Sequence, residues 1–165
     1  YVAPTDRFAL GQVVNSATGA GEIVEMLTAS DIPAEECDDI RREIWAKLLG
    51  NVSVNPLCAL TRRTVGDLAT IPETLEVVAA LIDETIALAA CLGHDVSDQR
   101  EWRLNRMRAV GAARPSMLQD LEAGRKMEVD AIIGVLTDLA ERAGLQVPAM
   151  RTVHGALLAL AIPEP

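Results

Sequence analysis

In the stretch WAKLLGNVSVNPL, residues 45–57, Lys47, Asn51 and Asn55 recur every four positions among Leu and Val. On a helix such a line drifts only about 40° per step, so one face carries an ammonium and two amides. An ammonium can protonate an oxygen that gains negative charge, and amides offer donors and acceptors to a polar ligand. An amide buried without a partner costs ~1–3 kcal/mol, and a buried ammonium several, so the line should face a crevice, an interface or water. A solvated edge, with Glu43 and Lys47 paired four residues apart, fits the same spacing.

A second stretch, PSMLQDLEAGRKMEVD (115–130), carries Ser116 and Glu128. Ser116 is expected to cap a helix starting at Met117, and Gly124 to end it. Glu128 is expected near the N-terminus of the following helix, where the dipole favours a carboxylate. Capping alone accounts for both residues; the functional alternative is that two helix starts bring them into one pocket. TGAGEIV (18–24) invites a dinucleotide-loop reading, but Val24 stands where a third small residue should be, so a glycine turn before a helix is expected. His94 and His154 have no second ligand at metal spacing and are expected at the surface or at helix ends, and no metal is expected. Trp45 and Trp102 should be packing residues, Cys58 and Cys91 inert core thiols, and Arg103, Arg106 and Arg108 a solvated face. No nucleophile-elbow, zinc-protease or paired-carboxylate signature is present.

The elements that must position these groups are mostly helices. The chain has 165 residues, half of them apolar, with only two Trp, one Tyr and one Phe, which suits packed Ala/Leu-rich helices rather than a sandwich. Two short strands, over 1–4 and 7–14, are expected to be joined by a turn, followed by a short helix over 21–30 and a connector over 31–39. A long helix over 39–61 should bury Ile40, Ile44, Leu48, Val52 and Leu60 and be kinked or interrupted at Pro56. Further helices are expected around 65–71, 71–93, 95–111, 116–124, 129–144 and 147–161, with Pro72, Gly93, Gly144 and Pro148 as boundary marks. The net charge of −9 argues against nucleic acid and anionic membranes as partners. No apolar run reaches the ~20 residues that span a bilayer, so a cytoplasmic location is expected. Three cysteines without close pairing suggest neither a disulfide framework nor a zinc site. The start at Tyr1 is read as that of a fragment.

IWAKLLGNVSVNPLCALT, followed some sixty residues later by PSMLQDLEAGRKMEVDAIIG, resembles the C-terminal helical domain of the ketopantoate reductase (2-dehydropantoate 2-reductase) family over roughly 38–160. The resemblance implies a mainly α, multi-helix domain like the C-terminal domain of 6-phosphogluconate dehydrogenase-type reductases, preceded by a small α/β remnant. Residues 1–37 would be the tail of a Rossmann-type NADPH-binding domain, and 38–165 the substrate and dimerisation domain. It implies Lys47 as the general acid for a ketone and Asn51 and Asn55 as substrate contacts. Ser116 and Glu128 would bind substrate carboxylate and hydroxyl groups, and Glu128 would also help position Lys47. A buried ammonium releases its proton more readily, which suits that task, while pairing with Glu128 would oppose the effect. The implied cofactor is NADPH, held mainly by the Gly-rich loop that is missing here, so the fragment alone is expected to be inactive. The implied partners are a small 2-keto acid and a second copy of the chain, through apolar faces on 72–92 and 150–160. A related 2-keto acid reductase, or a non-catalytic helical dimerisation module, are the alternatives.

Overall fold

The computed structural model of the chain describes residues 7–12 and 19–161; the strand expected over 1–4 lies outside them. The chain divides into two compact units, Tyr1–Trp45 and Ala46–Pro165.

In the first unit β1 (Phe8–Leu10) pairs in parallel with β2 (Ala34–Glu36), Phe8 opposite Ala34 and Leu10 opposite Glu36. Parallel partners cannot be joined by a tight turn, and α1 (Ala20–Ala29) is the crossover between them. This overturns two expectations. The neighbour of β1 is not an adjacent strand, and the 31–39 connector contains β2. Local polarity misled there, because Ala34–Glu36 has no apolar alternation and pairs only on one edge.

The long helix α2 (Ile40–Thr61) runs from the first unit into the second. It is followed by α3 (Val65–Leu68), α4 (Pro72–Cys91), α5 (Gln99–Val110) and α6 (Ser116–Glu122). A π turn at Asp130–Gly134 leads directly into α7 (Val135–Arg142), and α8 (Pro148–Leu160) comes last. The mainly α class with a small α/β piece in front is the observed one. No helix of the described residues is long and apolar enough to cross a membrane.

The buried stripe of α2 differs from the expected one. Trp45, Leu49, Val52, Pro56 and Ala59 are buried, whereas Ile44 is 51% exposed. Steps alternating between four and three hold one face, while the successive fours of Ile40, Ile44 and Leu48 drift around the helix. Nor does Pro56 interrupt it: α2 continues to Thr61. The proline removes only the donor that the Val52 carbonyl would otherwise use. On either side Ser53 and Thr61 donate to the carbonyls of Leu49 and Leu57, at 2.6 and 2.7 Å.

Helix α4 has Pro72 in its first turn and buries Val78, Leu81, Ile82, Leu88 and Ala89 on one side. The buried Thr85 hydroxyl on that side is satisfied by the Leu81 carbonyl, 2.7 Å away. Helix α8 packs directly on α4, burying Met150, Val153 and Leu157. The apolar faces expected to await a second subunit are therefore largely consumed within the chain, leaving Val77 and Leu158 exposed. Glu84 locks the pair. Its two carboxylate oxygens accept the Ala149 and Met150 amides at 2.8 Å each, capping α8 from another helix.

Helix α3 opens on a capping box between Thr64 and Asp67. Hydrogen bonds from the Thr64 hydroxyl and amide hold the Asp67 carboxyl below the usual carboxylate range. That contribution is present above the ordinary carboxylate pKa and is lost as pH falls through the lowered one. The next residue in from the cap, Gly66, donates to the Gly111 carbonyl at 2.7 Å. A Cβ there would lie 2.6 Å from that oxygen, so only glycine lets α3 meet the end of α5.

The cysteines separate by depth. Cys58 is fully buried, and burial, followed by the charge of Asp67, pushes its thiol up to about 12. Cys37 is half-buried and also raised, chiefly by desolvation. Cys91 is exposed on the solvent side of α4, contrary to its expected core position.

Two measurements check this account. Glu84→Ala should lower the unfolding free energy by roughly 1–3 kcal/mol in urea titration, and Glu84→Gln by less, since one acceptor remains. Equal midpoints would show the cap to be worth nothing. With a thiol reagent at pH 8, Cys91 should react first, Cys37 more slowly, and Cys58 only on denaturation.

Candidate functional site

Along α2 the polar line sinks into the protein. Lys47 is exposed, Asn51 half-buried, and Asn55 only 6% exposed. Helical periodicity explains the gradient, because each four-residue step rotates the line towards the buried stripe. The Asn55 amide has no side-chain hydrogen bond among the described residues, an expense that a polar ligand or water would remove. Lys47 has no ion-pair partner among the described residues. The burial of its ammonium, assumed from the sequence, is absent.

Ser116 is the first residue of α6 rather than its cap. Pro115, extended at φ −62° and ψ 159°, takes the cap position, and its carbonyl accepts the Gln119 amide at 3.1 Å. The Ser116 hydroxyl sits one residue too far along to close a capping bond and is exposed. Glu128 is exposed as well, and its carbonyl accepts the Ile132 amide at 3.1 Å at the start of the π turn. No hydrogen bond or ion pair among the described residues joins any two of Lys47, Asn51, Asn55, Ser116 and Glu128.

The π turn has no counterpart in the sequence reading. Its last residue, Gly134, leaves a notch in which a Cβ would lie 3.2 Å from His154 Nε2. The Thr137 hydroxyl donates to the Gly134 carbonyl at 2.7 Å, so His154 Nδ1, 3.3 Å away, must be the donor of that pair. Nε2 is buried without a partner. His154 is thus a packed residue between helices, not the surface residue expected from the sequence.

Helix α5 departs furthest from expectation. Trp102 is 48% exposed, and its ring carries the guanidinium carbons of Arg103 and Arg106 at 4.8 and 5.0 Å from its centroid. Arg103 is half-buried and reaches back to α2, donating from Nη2 to the Ala46 carbonyl at 2.6 Å. A depression of about 120 Å³ lies between the two helices, next to Gly50, Val54, Arg103 and Arg106. A second groove, about 310 Å³, runs between α4 and α5 past Leu75, Leu104 and Arg108. Neither is lined by any of the five residues chosen from the sequence. Only the apolar positions 50 and 54 beside the Lys47 line could have signalled the first of them.

A nicotinamide dinucleotide needs a phosphate cradle, and the glycine turn before α1 is the one stretch that invites that reading. There a Cβ on Gly21 would lie 3.1 Å from the Glu36 carboxylate. An anion beside the first turn of α1 opposes a phosphate, so this turn does not fit one.

A family model for the C-terminal domain of ketopantoate reductase PanE/ApbA matches residues 39–161. The 2-dehydropantoate 2-reductase of Mesorhizobium japonicum is 32% identical over 157 residues, covering 94% of this chain and 48% of its own length. Among solved structures, a 2-dehydropantoate 2-reductase from Geobacter metallireducens is 27% identical with a TM-score of 0.84, over 92% of this chain and 52% of that one. A ternary complex of D-mandelate dehydrogenase with NADH and anilino(oxo)acetate shares the fold, with a TM-score of 0.83 at 22% identity over 93% of this chain and 65% of that one. The chain spans about half the length of the curated relatives it matches. It belongs to the ketopantoate reductase PanE/ApbA C-terminal family.

Proposed function

We propose that this chain is the substrate-side half of an NADPH-dependent reductase that converts 2-dehydropantoate to pantoate, in pantothenate and coenzyme A synthesis. The observation that carries the reading is the α2 line, with an exposed ammonium at one end and a buried, unpartnered amide at the other. Reduction of a ketone builds negative charge on its oxygen, and the Lys47 ammonium would stabilise and then protonate it. Asn51 and Asn55 would supply donors and acceptors to the substrate's hydroxyl and carbonyl groups, replacing the partner that Asn55 lacks. Ser116, whose hydroxyl is not used in capping, and Glu128, ahead of the π turn, are the remaining substrate-side candidates. When bound, the dihydronicotinamide would supply hydride. No residue described here is assigned to hold it, and 1–37 is read as the tail of the domain that would.

The named relatives support the substrate, and the NADH-bound neighbour of the same fold supports a nicotinamide cofactor. A homodimer belongs to the same reading, with the residual exposed Val77 and Leu158 as its apolar contacts.

The test is NADPH oxidation with 2-dehydropantoate by the whole protein that carries this chain, beside its Lys47→Ala variant. Lys47→Ala should reduce kcat by roughly 10²–10⁴-fold without unfolding the protein. Unchanged turnover in that variant removes Lys47 from the chemistry. Turnover of another 2-keto acid, but not of 2-dehydropantoate, overturns the substrate.

A further inference from the structure

The depression between α2 and α5 is left unused by the reduction as described so far. Gly50 and Val54, on its α2 side, stand three and seven residues after Lys47. Helical geometry puts Lys47, Gly50 and Val54 on one stripe, so the depression flanks the Lys47 line on the side away from the two amides. Its other wall is cationic, formed by Arg103 and Arg106.

These two guanidiniums are held in place. Arg103 is anchored to the Ala46 carbonyl at 2.6 Å, and both stack on Trp102. Gly50 is part of that arrangement, since a Cβ on it would lie 2.9 Å from Arg103 Nη1. Stacking occupies the faces of a guanidinium and leaves its N–H edge to meet an anion in the plane. Two cations on one ring also repel each other, and an anion between them relieves that repulsion. Elsewhere Arg7, Arg100, Arg114, Arg125 and Arg151 each pair with a carboxylate of the chain. Arg106 has no carboxylate partner among the described residues, although the chain carries a net charge of −9.

We propose that Arg103 and Arg106 form an anion subsite that takes the carboxylate of the 2-keto acid while its ketone oxygen faces Lys47. The inference rests on the reading of Lys47 as proton donor and refines it. A volume of about 120 Å³ admits a carboxylate with its adjoining carbons but no nucleotide. The planar fork of arginine matches a carboxylate in a way that lysine does not. Arg103 and Arg106 would therefore set the pose of the acid, and Asn51 and Asn55 would be left to its remaining oxygens.

Steady-state kinetics of the whole protein with 2-dehydropantoate and NADPH test the subsite through Arg106→Gln, with Arg103→Lys as a second variant. Arg108→Gln, on the same helix but outside the depression, controls for long-range charge. Arg106→Gln should raise KM for the keto acid about tenfold or more, leaving KM for NADPH and the unfolding midpoint near wild type. Arg103→Lys should give a similar rise, and Arg108→Gln neither change. An unaltered keto acid KM in Arg106→Gln overturns the proposal, and so does a rise confined to NADPH, which would mark a phosphate site. Calorimetric titration of pantoate into the whole protein provides a readout without turnover. Its Kd should weaken about tenfold in Arg106→Gln, and an unchanged Kd again overturns the subsite. If Kd weakens there while Lys47→Ala still turns over normally, the subsite stands and the proton-donor reading falls.

Discussion

Helix α2 has to be two things at once, and that constraint organises its surroundings. One side supplies the core through Leu49, Val52 and Ala59, while the other offers an ammonium and two amides. A 3.6-residue period cannot keep a line of fourfold steps away from a buried stripe indefinitely, so the polar line must converge on the core. Asn55 is where it arrives. A buried amide with no side-chain partner is tolerated only where something polar can complete it, and Asn55 therefore ties the stability of the helix to its chemistry.

The supports around α2 are largely polar groups reaching across from other elements. Arg103 secures the turn before Lys47 through the Ala46 carbonyl. The Gly66–Gly111 backbone contact brings α3 against the end of α5, which carries that arginine. Further out, Glu84 fastens α8 to α4 by its start rather than by its apolar face alone. Each of these is a single long-range hydrogen-bonded contact laid over ordinary apolar packing. Such contacts fix angle and register, which burial, being non-directional, leaves loose.

This division explains how far the sequence could be read. Helix positions followed from periodicity with Pro72, Pro148, Gly93 and Gly144 as punctuation, and the α2 line followed from spacing. The family resemblance added Ser116 and Glu128, whose types and positions alone say little more than capping. What could not be read was anything set by a partner distant in sequence. Arg103 looks like one more solvated arginine until the Ala46 carbonyl is beside it, and His154 looks peripheral until Gly134 makes room for it. β2 was missed for the same reason, because its only strand partner lies 26 residues earlier, across α1. Pro56 erred in the opposite direction. A local rule foretold a break that the tertiary packing on both sides of the helix overrides.

The π turn ahead of α7 has a geometric consequence of its own. One surplus residue is stored in a single wide coil, which offsets everything before it by ~100° of azimuth relative to everything after. Helix α7 keeps its apolar side on the core through Leu136 and Ala140, so the offset falls on the chain entering from Glu128. The direction in which that carboxylate leaves the helix is accordingly fixed by arithmetic, the number of residues between it and Gly134, more than by any contact it makes. A chain with one residue fewer there could keep the same core and still aim its glutamate elsewhere.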